Sequence, residues 1–220
     1  MKQFVKRALA LALVLVFALS LTACGGFDAA AYVQGNLDAN LKGIASDAYL
    51  KQVNATDDSE VIATYEETVD AYVVSELSSQ DLTPELVTEA CYQNITDFYK
   101  ELLASLKYTV GKATKTSDGF DVELTCEAVN FTSGLNPDDF TAAATDALEG
   151  YLDKETMTDD DYINLYSDVM NKYIELYHDT LAGATFAEPE TMTVHLELTS
   201  DKLVFIPDEE YVAIQNALIH

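Results

Sequence analysis

Ser117-Asp118-Gly119-Phe120-Asp121-Val122-Glu123-Leu124-Thr125-Cys126-Glu127-Ala128 is the stretch on which the fold turns. Phe120, Val122, Leu124, Cys126 and Ala128 alternate with Asp121, Glu123, Thr125 and Glu127. A period of two belongs to a strand with one packed face and one wet face. Tyr108 and Val110 begin a partner strand upstream, and Ser117-Asp118-Gly119 is turn chemistry, so the segment reads as a β-hairpin. Met192, Val194, Leu196 and Leu198 repeat the alternation and predict a third long strand; Leu203 to Ile206 predicts a short fourth.

Before and between these strands the period is 3.6. Ala30, Val33, Leu37, Leu41 and Ile44 predict an amphipathic helix from about 28 to 50, weakened by Gly35 and Gly43. Asp57 and Glu60 have the spacing of a capping box and open a second helix to about Glu76, with Ile62, Val69 and Val73 inward. Thr83-Pro84-Glu85, a cap followed by proline at the first helical position, opens a third. Its stripe is Val87, Cys91, Ile95, Phe98, Leu102 and Leu106. Asn136-Pro137-Asp138-Asp139 starts a fourth helix, Thr158 with Asp161 a fifth reaching about Ala182, and Pro207-Asp208-Glu209-Glu210 a last one through Leu218. The expected fold class is α+β: an antiparallel sheet of three to four strands, with N-terminal helices and an inserted helical pair at 136–185 packed on one face. Residues 27–220 read as one domain, and its outline resembles the curved-sheet folds of the cystatin-like group.

The front of the chain has a different character. Lys2, Lys6 and Arg7 precede a run from Ala8 to Leu21 that carries no charge. A cationic start, an apolar run and small residues at its end make a secretory signal. The run is 14 residues, about 21 Å of helix, against the roughly 20 residues a membrane crossing needs. Leu21-Thr22-Ala23-Cys24 resembles the bacterial lipobox. That resemblance implies cleavage between Ala23 and Cys24, a diacylglyceryl group on the Cys24 thiol, and a membrane partner reached through that anchor. Residues 1–23 are then the signal peptide, 24–26 a lipidated Cys and short linker, and the protein sits on the outer face of the cell membrane.

Composition excludes whole classes of function. Three of the 12 basic residues lie in 1–23, which leaves nine lysines against 38 acids, a charge of −29 with no arginine. Nucleic acid demands a basic footprint, and the planar fork that grips phosphate is missing, so neither nucleic acid nor nucleotide is expected. No G-x-x-x-x-G-K, G-x-G-x-x-G, H-E-x-x-H or G-x-S-x-G occurs. The acidic runs Asp57-Asp58, Asp138-Asp139 and Asp159-Asp160-Asp161 lack calcium-loop spacing and stand where helices begin. No metal site and no cofactor is expected.

Two constellations remain as candidates. Cys91 and Cys126 fall on core-facing stripes and are open to two readings, a disulfide outside the cytoplasm or two buried thiols. Tyr162, Tyr166, Tyr173 and Tyr177 stand at steps of four, seven and four, which sets them on one face of the fifth helix. That face either packs on the sheet or forms a recognition surface for a protein, peptide or envelope ligand. His178 sits near the end of that helix, and His195 faces outward on its strand.

Phe27-Asp28-Ala29 through Leu37-Asp38, Tyr108-Thr109-Val110-Gly111 and Asp118-Gly119-Phe120-Asp121-Val122 resemble small surface lipoproteins of Gram-positive, clostridial-type bacteria whose domain has no assigned function. The resemblance covers most of the chain after Cys24. It implies a surface location and an α+β domain, and no activity. The expected function is a non-catalytic, membrane-anchored binding module; the alternative is an envelope hydrolase using paired carboxylates.

Overall fold

The computed structural model describes residues 19–20, 27–131, 134–200 and 203–219. Ala23, Cys24 and nearly all of the signal lie outside them. The architecture is α+β as the alternation predicts. Strands β2 (Lys107–Lys115), β3 (Gly119–Glu127), β4 (Glu190–Leu198) and β5 (Leu203–Phe205) pair antiparallel in chain order, and the two-residue β1 (Leu19–Ser20) pairs with β5. The quoted stretch is the centre of this meander. Val122, Leu124 and Cys126 of β3 are buried beside Val194 and Leu196 of β4. The opposite face carries Asp121 across from His195 and Thr125 across from Thr191, whose hydroxyls lie 2.8 Å apart. Among the described residues, helices cover the sheet through α1 (Ala29–Lys42) against β2 and β3 and α7 (Asp208–Leu218) against β3 and β4.

The N-terminal helices depart from their expected bounds, each for a local reason. The single helix expected over 28–50 is two, α1 and a short α2 (Asp47–Gln52). Asp28 caps α1 by accepting from the Ala31 N–H, and Gly43 ends it in the left-handed region at φ 64°, donating to Ala39 O. Such an end favours glycine. The chain turns there, so Ile44, expected inward, is 57% exposed. Gly35 serves packing: a Cβ on it would lie 2.4 Å from Tyr49 of α2. Helix α3 runs Ser59–Ser79, and the expected capping box at its start is not formed. Asp57 instead accepts from the backbone N–H of Ser59 at 3.0 Å, and Ile62 faces solvent.

Thr83-Pro84 opens only a single 3-10 turn, Pro84–Leu86. Helix α4 (Glu89–Ser105) begins later, where Thr88 accepts from the Cys91 N–H. The reason is tertiary. Ser167, buried on α6 (Asp159–Ala182), accepts from the Thr88 N–H at 2.7 Å, so the chain is held extended at that residue. Helix α5 (Pro137–Glu149) and α6 form a hairpin between β3 and β4, and α6 packs along α4. Lys172 Nζ lies 3.3 Å from Asp146, and the Tyr151 hydroxyl donates to Asp168 at 2.8 Å. Thr158 and Asp161 cap α6 reciprocally, as the sequence predicts.

Candidate functional site

The tyrosine row of α6 divides into three environments. Tyr162, near the start of the helix, is exposed, with its ring 6.3 Å from that of Tyr166. Tyr166 and Tyr173 line a groove of about 330 Å³ together with Leu165, Val169 and Met170 of the same helix. The opposite wall comes from Ala144 and Leu148 of α5, and Gln80 and Leu82 at the end of α3 close it. Ligand sites of this size are concave, mostly apolar and furnished with few polar groups. Here the polar groups are the Gln80 amide and the tyrosine hydroxyls. Tyr177, expected on the same face, is buried instead. The expected face is therefore continuous along the helix but passes from solvent, through a groove, into the core.

At the buried end stands a group that sequence reasoning passed over. Glu76 of α3 is only 6% exposed. The Tyr99 hydroxyl of α4 donates to its Oε2 at 2.9 Å, and the Tyr177 hydroxyl of α6 donates to its Oε1 at 3.3 Å. Burial pushes its carboxyl above the ordinary range, and the two hydroxyl donors offset that only in part. Aromatic rings enclose the trio. Tyr72 stacks on Tyr99 with centroids 5.5 Å apart, and Phe98 and Phe131 lie against Tyr177 at 5.3 and 5.9 Å. Among the described residues no Lys or His pairs with Glu76, and no second acid is buried. The signal was present in the sequence: Glu76 continues the stripe of Val69 and Val73 at helical spacing, an acid on an apolar face.

Cys91 and Cys126 are both buried, free thiols. Burial pushes each up to about 11, and both therefore stay protonated at neutral pH. Their separation follows from the fold. Cys126 faces Tyr108 across the hairpin, while Cys91 lies a full α4 length before that strand, about 22 Å of helix. A bridge needs Cα atoms within about 7 Å, so this arrangement holds the pair as two thiols. His178 Nδ1 lies 2.8 Å from Glu101, with its ring edge-on to Phe98. His195 is not simply solvated on the open face of the sheet, because its Nδ1 lies 2.7 Å from Asp121 across the strand pair. That hydrogen bond raises its pKa.

Among the described residues no helix is long and apolar enough to cross a membrane, and no group of three or more His, Cys, Asp or Glu side chains gathers as metal ligands would. No protein-family model and no curated protein matches the chain. The fold is similar to the crystal structure of ycdA, a candidate lipoprotein of Bacillus subtilis, with a TM-score of 0.56, 18% identity and 87% of this chain covered. The chain spans just over half of that protein's length, 56%. At this identity the likeness carries the fold, so a bacterial protein of that kind shares the architecture described above.

Proposed function

We propose that the chain is an extracytoplasmic lipoprotein of the kind Gram-positive, clostridial-type bacteria carry, fastened through Cys24 to the outer face of the cell membrane. Its role in this reading is non-catalytic binding through the groove between α5, α6 and the end of α3. The groove lined by Tyr166 and Tyr173 is the observation that carries the binding role; Leu21-Thr22-Ala23-Cys24 carries the anchor. Two acyl chains on a cysteine give stable membrane attachment where one does not. Cleavage before Cys24 also removes β1, which leaves β5 as an open sheet edge in the processed protein. The hydrolase alternative needs two carboxylates working together, and among the described residues Glu76 has no second buried acid beside it.

Two measurements test this reading. Cys24→Ser should move the protein from the membrane pellet to the soluble fraction after a carbonate wash; retention in the pellet would place the anchor elsewhere. The neutral fluorophore N-phenyl-1-naphthylamine should brighten on binding the soluble domain, and Leu148→Glu at the half-open rim should abolish the signal without lowering the melting temperature. Equal brightening with both proteins removes the groove from the account.

A further inference from the structure

Glu76 stands close to the groove lining along two segments of the chain. Gln80 caps the end of α3 four residues after Glu76, and Tyr177 lies one turn beyond Tyr173 on α6. Residues four apart on a helix are neighbours, about 5–6 Å between Cβ atoms. Moving one turn inward from the Gln80 and Tyr173 lining therefore reaches Glu76 and Tyr177 on both helices together. Phe140 of α5 packs against both tyrosines of α6, its ring 5.1 Å from Tyr173 and 5.5 Å from Tyr177.

We infer that, granted the groove is the binding site, it takes a small amphiphile with an apolar body and a protonated amine head, for which Glu76 is the counter-ion. Four features of the site support that head group. Each carboxylate oxygen has about two acceptor sites, and Tyr99 and Tyr177 each occupy one, so acceptor capacity remains on both. Hydroxyl donors give the carboxylate hydrogen bonds, and among the described residues no Lys or His pairs with it, so a bound ammonium adds a charge partner that these side chains do not supply. Tyr72, Phe98, Phe131, Phe140 and Tyr177 present ring faces and edges around this point, and aromatic faces attract ammonium groups. An anionic head would meet a buried acid and gain nothing. The titratable neighbours are Tyr72 on α3, Tyr99 on α4, and Tyr177 and His178 on α6. His178 faces away, toward Glu101.

The test displaces N-phenyl-1-naphthylamine from the full-length protein at pH 7.5 with n-octylamine, n-octanol and octanoate, which share a body and differ in the head. A charge-assisted bond at the carboxylate makes the amine bind about tenfold or more tightly than the alcohol, with octanoate weakest. Glu76→Gln keeps the volume and a carbonyl acceptor for one tyrosine, and it should bring amine and alcohol within about twofold. Phe140→Ala, which removes the ring packed against Tyr173 and Tyr177, should strengthen the amine more than the alcohol. Equal amine and alcohol binding in the unaltered protein overturns this inference and leaves the groove reading standing. An amine preference that survives Glu76→Gln also overturns it, because general attraction to an acidic protein then explains the preference. Failure of all three to displace the probe defeats the groove reading itself.

Discussion

Removing the hydroxyl of Tyr99 should cost more stability at high pH than at low pH, and the difference should vanish when Glu76 is replaced by Gln. The Tyr99 bond to Glu76 is 2.9 Å long and inside the core. A hydrogen bond to a neutral partner contributes about 0.5–1.5 kcal/mol and one to a charged partner about 1.5–3 kcal/mol. Glu76 changes from the first kind of partner to the second as it ionises. Tyr99→Phe should therefore cost about 1 kcal/mol near pH 4 and about 2 kcal/mol near pH 8. For a domain of this size each kcal/mol moves the melting temperature by roughly 2–4 °C. Tyr177→Phe should follow the same trend more weakly, because its bond is 3.3 Å.

The sign of the pH effect follows from linkage. Burial raises the folded-state pKa of Glu76 above its ordinary 4.5, so above that point the folded state holds this proton more tightly than the unfolded chain. The contribution of Glu76 to stability is complete below pH 4.5 and is lost as pH rises through the raised value. Glu76→Gln has no proton to lose, and its stability should gain on that of the parent as pH increases. The other carboxylates are common to both proteins and cancel in the comparison. Urea unfolding of the parent, Tyr99→Phe, Glu76→Gln and the double variant from pH 4 to 8 measures the coupling directly. Parallel stability curves for the parent and Glu76→Gln, or a Tyr99→Phe cost that does not change with pH, would refute the reasoning.

Gly43→Ala should destabilise by roughly 1–3 kcal/mol in urea unfolding, since a left-handed alanine is strained and its Cβ would come within 2.6 Å of the Tyr65 ring. A cost below about 0.5 kcal/mol would mean that the turn between α1 and α2 relaxes freely. The hydrogen bond that His195 makes to the Asp121 carboxylate raises its pKa, so this pair stabilises the sheet below about pH 6.5 and ceases to do so as pH rises through the raised value. NMR titration should show His195 above the ordinary imidazole value and returning toward it in Asp121→Asn; identical titrations would remove the pair from the account.

The strands were legible because each needs only a short alternating run, and β3 and β4 carry it without interruption. The caps of α5 and α6 were legible for a similar reason, since a cap and its partner lie within three residues. What escaped depended on distance in sequence. The first turn of α4 was misplaced because Thr83-Pro84 carries the local signal for a helix start, while the Thr88 backbone is claimed by Ser167, 79 residues away. The break at Gly43 was visible as a weak point but not as an end, because an ending requires the left-handed conformation rather than glycine alone. The tyrosine row was read as one face and is one face. Periodicity says which residues share a side, but it does not say that the α5 hairpin covers one stretch, leaves a groove along the next and exposes the first turn.

Glu76 shows the same limit from the other direction. On an apolar stripe an acid is conspicuous, yet its partners sit 23 and 101 residues further on, and no spacing rule joins the three. Its meaning depends on the charge of the whole chain. A protein with 38 acids and 12 bases has few cations to place in its core, and among the described residues no lysine is buried; lysines pair instead with Asp38, Glu66, Glu127 and Asp146. Replacing Glu76 with Leu would remove its desolvation cost but leave the buried Tyr99 and Tyr177 hydroxyls without their acceptor. The field of the chain draws cations toward the surface and repels anions, and the one buried acid among the described residues lies a single turn beyond the groove. An amine-headed ligand satisfies the long-range and the local electrostatics together, whereas an anionic one opposes both.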